Sequence, residues 1–439
     1  MGVINFEKYQ KNLNQASTLH VKGRITELVG LVARAVIPGV KVGELCLIET
    51  QVGKNAIKAE VVGFKDNEVL LMPLGNLEGI APGSEVTRTG DCLKVQVGEE
   101  LLGRILDGLG DPLDTDTKGP LVCPQSYPVH QEPPDALKRN RVSRPITVGI
   151  KAIDAVITCG EGQRVGLFAA AGVGKSTLVG MIARNTSADI NVIGLVGERG
   201  REVRDFLEKD LGEEGLKRSV VVVATSDQPS LVRAKAAYVA TAIAEYFRDK
   251  GKRVLLMMDS VTRFARALRE IGLAVGEPPA RQGFTPSVFS TLPRLLERSG
   301  NSDKGSITAF YTVLVAGDDM NEPVADETRS ILDGHIILSR DLANRAHYPA
   351  IDVSESISRV MSSIVDPEHL EAARKLREVV AAYEKERDLI LIGAYESGSD
   401  PRVDYAIEKI EEVNAFLKQG VEDKIDYEEA VAQLKGIFA

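Results

Sequence analysis

The chain has 439 residues, 44% apolar and 27% charged, the composition of an ordinary folded protein with volume for about three domains. A net charge of −9, no tryptophan and 5% aromatic residues argue against a dedicated nucleic-acid binder working through base stacking. There is no run of about 18 apolar residues and no signal peptide, and Cys46, Cys92, Cys123 and Cys159 are too widely spaced for a disulfide framework or a zinc site. The expectation is a cytoplasmic protein with reduced thiols, whose association with a membrane, if any, is peripheral.

Residues 1–19 can be drawn as a short helix with Val3, Phe6, Tyr9 and Leu13 on one side, or as a frayed terminus. Residues 20–90 change to short β-branched runs, Gly23–Val29, Gly43–Ile48, Ile57–Phe64 and Glu68–Pro73, punctuated by Pro38-Gly39, Asp66-Asn67 and Pro82-Gly83. This pattern predicts a small β-barrel, which leaves no free strand edge. The segment 91–365 opens with turn-rich connections. Apolar runs at Val165–Phe168, Ile190–Val196, Ser219–Ala224, Val254–Met258 and Ile307–Leu314 then alternate with helix-length stretches, which predicts a parallel sheet covered on both faces. Residues 366–439 read as helical. Asp366-Pro367-Glu368 and Asp400-Pro401 are helix starts, Asp426 and Glu429 form a candidate capping box, and Leu370, Ala373, Leu376, Val380 and Tyr383 make one stripe.

The chain is organised around Ala169-Ala-Ala-Gly-Val-Gly-Lys-Ser-Thr177, a small-residue loop between an apolar strand and a helix. Successive backbone N–H groups in such a loop wrap phosphates, and the positive end of the following helix points at the anion. Ala171, Gly172, Val173, Gly174 and Thr177 belong to this cradle. Lys175 is suited to the β/γ oxygens, and the Ser176 hydroxyl to Mg²⁺. Ala169 stands where the motif has its first glycine, and alanine fits if its φ is ordinary. The strand Arg253–Asp259 ends in a carboxylate that can hold the Mg²⁺ shell, or cap the next helix. Glu198, after the strand Asn191–Val196, is placed to orient an attacking water, with Glu202 as its competitor.

The phrases Gly172–Thr177, Gly197–Val203 and Tyr348–Arg359 resemble the hexameric F-type/V-type rotary ATPase superfamily. Ala169–Ser176, Pro278–Leu296, Gly305–Thr312 and Asp333–Arg340 are similar to the type III secretion ATPases and their flagellar export counterparts. The likeness spans about residues 20–439. It implies an α/β P-loop (RecA-like) core, an N-terminal β-barrel that closes a ring, and a C-terminal helical domain that meets chaperone–substrate complexes. It also implies Mg-dependent ATP hydrolysis energising protein export, with Glu198 as the catalytic glutamate, Lys175 on the phosphates, Tyr348 stacked on adenine, and Ser176 with Asp259 on the metal. Arg359 matches an arginine finger that enters the neighbouring subunit's site. Because Glu198 and Arg359 occur in one chain, a homohexamer is implied. Its other implied partners are a central stalk-like protein facing the Gly276–Phe284 loop and a stator or regulator at the cytoplasmic face of the inner membrane; no nucleic acid is implied. Three rivals stand beside this reading. A rotary synthase subunit is opposed by Ala169 and Gly200, a non-catalytic scaffold by Glu198, and an RNA-translocating hexamer by the acidic balance. Asn321-Glu322-Pro323 and the short N-terminus lean towards an injection apparatus over a flagellar one.

Overall fold

The computed structural model describes residues 21–50, 56–315, 317 and 319–439. The helix drawn over residues 1–19 lies outside the described residues. The chain divides into two compact units: one ends at Leu93 and takes in Ala274–Gly276, and the other comprises Lys94–Leu273 and Glu277–Ala439.

In the first unit, β1 (Lys22–Val29), β2 (Val32–Val36), β3 (Glu44–Ile48), β4 (Ile57–Lys65), β5 (Glu68–Pro73) and β6 (Glu85–Cys92) form a closed barrel. Their order is β1-β2-β5-β4-β3-β6, and Lys22 pairing with Thr87 closes the ring. Alternate residues such as Ile25, Cys46, Ile48, Val61 and Leu71 fill the interior. Asp66 and Asn67, with φ of 50° and 67°, make the tight β4–β5 turn that this dipeptide favours. Glu44 also points inward, and Arg88 satisfies its charge through an Nε–Oε1 hydrogen bond of 2.9 Å.

The second unit begins with a two-stranded ribbon, β7 (Lys94–Val97) paired with β9 (Gln125–Pro128), and with β8 (Ile105–Asp107), which joins the main sheet. That sheet continues with β10 (Arg164–Ala169), β11 (Ile190–Glu198), β12 (Ser219–Thr225), β13 (Arg253–Asp259), β14 (Gly300–Asn301), β15 (Ser306–Leu314), β16 (Gly334–Leu338) and β17 (Ile351–Ser358). The order is β17-β16-β10-β15-β13-β11-β12-β8, with β14 beside β15. Every residue of β11 is buried, as expected of a strand covered on both faces. Between strands lie α1 (Lys175–Asn185), α2 (Gly200–Asp205), α3 (Ser230–Asp249), α4 (Val261–Ala274), α5 (Pro286–Leu296), α6 (Pro323–Ile331) and α7 (Arg340–Asn344).

The sheet is not wholly parallel. The link of α7 and the Tyr348-Pro349 turn keeps the chain at the carboxyl edge of β16, so β17 runs back antiparallel to it. At the C-terminus, α8 (Pro367–Leu391) and α9 (Pro401–Leu417) start as their sequences predict. Asp366 accepts from the His369 N–H at 2.8 Å and Asp400 from the Arg402 N–H at 2.9 Å. Before α10 (Tyr427–Ile437), Asp426 has extended backbone and no side-chain cap, so the expected capping box does not form. The buried stripe of α8 is also rotated from the expected one. His369 is buried, its Nε2 2.6 Å from the Ala155 carbonyl, while Leu370 is exposed.

Arg298 and Glu245 are both almost fully buried and bonded through both guanidinium arms, Nε–Oε1 at 2.9 Å and Nη2–Oε2 at 2.5 Å. Removing one partner strands a charge in the core, so Arg298→Met should destabilise by about 3–5 kcal/mol, whereas the double variant Arg298→Met/Glu245→Leu should recover most of the loss. Urea unfolding of the two variants measures the difference.

Candidate nucleotide site

β10 ends at Ala169, whose φ is not positive, so the alanine in place of glycine needs no unusual backbone. The loop turns through Gly172 and Gly174, with φ of +82° and +88°, conformations strained for any L-residue. A Cβ at Gly172 would meet nothing within 4 Å, while one at Gly174 would come 3.7 Å from the Tyr348 ring. Gly174 has no side chain to cap α1, which leaves the first amides of that helix for an anion. In the cradle, Val173 is buried, anchoring the loop, and Ala171, Gly172 and Ser176 are exposed.

Parallel register carries the remaining groups to the same edge. Leu314 of β15 lies beside Ala169, Tyr311 beside Met258, and Asp259 beside Leu195, with Glu198 ending β11. Lys175 reaches from α1 to form a salt bridge with Asp259 Oδ1, and its Nζ is 3.9 Å from Glu198 Oε1. Glu198 is 7% exposed and Asp259 5%. Arg263, in the first turn of α4, holds Glu198 with Nε–Oε1 at 3.0 Å and Nη2–Oε2 at 3.3 Å. Burial, then the nearby Asp259 charge, push the Glu198 carboxyl up to about 7, while Lys175 and Arg263 pull the other way. Glu202 is exposed on α2, 3.5 Å from Arg199. The first turn of α4 is served by Ser260, whose Oγ accepts from the Arg263 N–H at 3.3 Å, rather than by Asp259.

Ser176 and Asp259 offer hard oxygen ligands, and among the described residues no cluster of three or more His, Cys, Asp or Glu could cage a metal. Two protein oxygens with phosphates and water completing the shell are what Mg²⁺ prefers, so these residues fit it. Next to the loop a cavity of about 210 Å³ is walled by Val173, Leu178, Met181, Leu338, Tyr348 and Gln419. Tyr348 is 46% exposed, which suits a ring that stacks on a ligand better than one packed in the core.

Arg359 lies elsewhere. Leu338 of β16 sits level with Ala169, Ile351 pairs with Leu338, and Ser358 with Gly334, so β17 carries Arg359 to the amino edge of the sheet. Four residues of strand, roughly 13 Å, separate that level from the phosphate loop. Its N–H donates to the Asp333 carbonyl at 3.0 Å, and its exposed side chain has no hydrogen-bond or ion-pair partner among the described residues.

Three neighbours of the site escaped the reading of the sequence. Arg263 follows Asp259 by four residues, so the first helical turn folds it back over the strand ends. Thr312 is a polar residue inside an apolar strand. Gln419 follows α9, and its amide bridges the Lys151 N–H at 2.9 Å and the Gly149 carbonyl at 2.7 Å. Of these, Thr312 carried a readable signal in its polarity.

With the geometry in hand, comparison with known proteins defines the class. The profile of the ATP synthase alpha/beta family matches here twice, its beta-barrel domain over residues 25–90 and its nucleotide-binding domain over 149–358. The T3SS EscN ATPase C-terminal domain matches residues 365–436. Among similar proteins, the flagellum-specific ATP synthase of Bacillus subtilis (strain 168) is 56% identical over 94% of both chains. The type 3 secretion system ATPase of Xanthomonas euvesicatoria is 52% identical over 94% of this chain and 93% of its own. The structure of the assembled ATPase EscN from the enteropathogenic E. coli type III secretion system superposes with a TM-score of 0.90 at 47% identity, covering 95% of this chain and all of the other. The chain therefore belongs to the type III secretion and flagellar export ATPases of the ATP synthase alpha/beta family, and it is an ATP hydrolase that uses Mg²⁺.

If Glu198 must be ionised to accept a proton from water, kcat/KM for ATP should fall as pH drops through about 7. Arg263 favours the ionised form, so Arg263→Gln should move this acidic limb to higher pH. A pH profile of kcat/KM, which reports the free enzyme, reads the shift directly. Gly174→Ala should weaken nucleotide binding at least tenfold, roughly, because its φ of +88° is closed to alanine without strain; titration with a fluorescent ATP analogue checks this.

Proposed function

We propose that the chain works as a homohexamer in which each ATP site is completed by Arg359 of a second copy, and that hydrolysis energises protein export through a type III apparatus. The observation that carries this reading is the position of Arg359, unpaired among the described residues and at the sheet edge opposite its own phosphate loop. Lys175 leaves Asp259 for the β/γ oxygens when nucleotide enters. Glu198, steadied by Arg263, orients the water and takes its proton, for which a pKa near neutrality is well matched. Ser176 and Asp259 would hold Mg²⁺, which would neutralise charge on the phosphates. The neighbour's guanidinium spreads over the transferring phosphoryl oxygens, an effect worth ~10³–10⁵ in rate. Tyr348 stacks on the base.

Assembly is supported by the likeness to EscN, which was solved in an assembled form and in complex with its central stalk EscO; the latter superposes with a TM-score of 0.87. We extend the reading to a stalk-like partner at the Gly276–Phe284 loop and to a stator or regulator protein. It also extends to chaperone–substrate complexes at the helical domain 366–439, with the core over 91–365 and the barrel over 20–90. The ring works at the cytoplasmic face of the inner membrane; among the described residues no helix is long and apolar enough to cross a membrane. A flagellar apparatus is a second reading, favoured by the 56% identity to the Bacillus subtilis protein.

Glu198→Gln and Arg359→Ala should each abolish turnover, roughly 10³-fold or more for the arginine. Mixed in equal amounts and reassembled, they should regain activity, because about a quarter of the interfaces then pair an intact Glu198 with an intact Arg359. No recovery in mixed rings of confirmed hexamer mass, or full activity of Arg359→Ala alone, would remove the shared site.

A further inference from the structure

Thr312 is 1% exposed in β15, between the strand that feeds the phosphate loop and the strand that ends in Asp259. Leu167 pairs with Thr312 on one side and Met258 with Tyr311 on the other, which brings the threonine level with Asp259. Its Oγ1 donates to Asp259 Oδ1 at 2.6 Å, the short distance expected when the acceptor is charged, and the hydroxyl makes no other hydrogen bond among the described residues. Lys175 grips the same oxygen. Oδ2 accepts no hydrogen bond among the described residues. The carboxylate is thus pinned by one oxygen and offers the other.

We infer that Thr312 is a positioning residue, which fixes the Asp259 carboxylate so that Oδ2 faces the Mg²⁺ accompanying the nucleotide. The inference rests on the reading of this site as a Mg-nucleotide site. Its weight falls in the loaded state. Once Lys175 turns to the phosphates, Thr312 is the remaining donor to Oδ1, and without it the buried carboxylate can rotate about its Cβ–Cγ bond. Groups that orient a ligating carboxylate in this way typically contribute 10–100-fold to metal affinity.

The test is equilibrium binding of a fluorescent ATP analogue to the full chain, with Mg²⁺ titrated against EDTA, for wild type, Thr312→Val and Thr312→Ser. Valine keeps the shape and removes the donor; serine keeps the donor. The expected result is that Thr312→Val loses roughly tenfold of the gain in affinity that Mg²⁺ gives, while its affinity in EDTA matches wild type. Thr312→Ser should restore the gain. A wild-type Mg²⁺ gain in Thr312→Val overturns the inference. So does a fall of affinity in EDTA as large as the fall in Mg²⁺, which would mark a packing role. Absence of any Mg²⁺ gain in the wild type removes the site reading itself and the inference with it.

Discussion

One ammonium held between two carboxylates, all three largely out of water, is the interaction on which the second unit depends. Charges buried singly are strongly destabilising, and they persist only where geometry lets each answer another. Lys175 bonds Asp259, stands within 4 Å of Glu198, and Arg263 closes the far side of Glu198. That arrangement tolerates little slippage. It requires β10, β15, β13 and β11 to keep one register at this edge, and that register is in turn fixed by strands buried on both faces and by the flanking helices. The apolar core and the polar site are two aspects of the same requirement.

Much of this was readable in the residues because it is local. The strand–loop–helix at Ala169–Thr177 follows from small residues at positive φ next to an apolar run, and the Asp66-Asn67 turn from the conformations those residues tolerate. The helix starts at Asp366 and Asp400 follow from side chains that bond amides two or three residues ahead. What was not legible depends on partners distant in sequence. Arg263 looked like any helical arginine until Glu198 was beside it. Gln419 carried no signal, since both segments that it bridges lie some 270 residues earlier. The direction of β17 is decided by a link that stays at one edge, which periodicity does not encode. Asp426 failed as a cap although its sequence was as good as that of Asp366, so spacing alone did not determine the bond.

The amino edge of the sheet has a different character from the carboxyl edge. Arg164, Asp333 and Glu297 form a tight ionic cluster there, with Arg164 Nε 3.0 Å from Asp333 Oδ2, so the arginine that starts β10 faces two carboxylates. Arg359 follows directly on that framework through its backbone bond to Asp333, yet its own guanidinium is left out of the cluster. The backbone is anchored and the charge is displayed, a combination that suits contact with something outside the chain.

Gln419 has a mechanical consequence. Its side chain is bolted at both ends to residues 149–151, its N–H is bonded to the Tyr348 carbonyl at 3.0 Å, and it sits one residue past the cap of α9. The end of α9 and the wall of the cavity beside Tyr348 are therefore one continuous piece. A tilt of α9 cannot be absorbed by a slack joint, because the joint is a buried amide bonded through both its oxygen and its nitrogen. Whatever leans on α9 leans on the cavity wall, and by thermodynamic reciprocity whatever fills the cavity bears on α9.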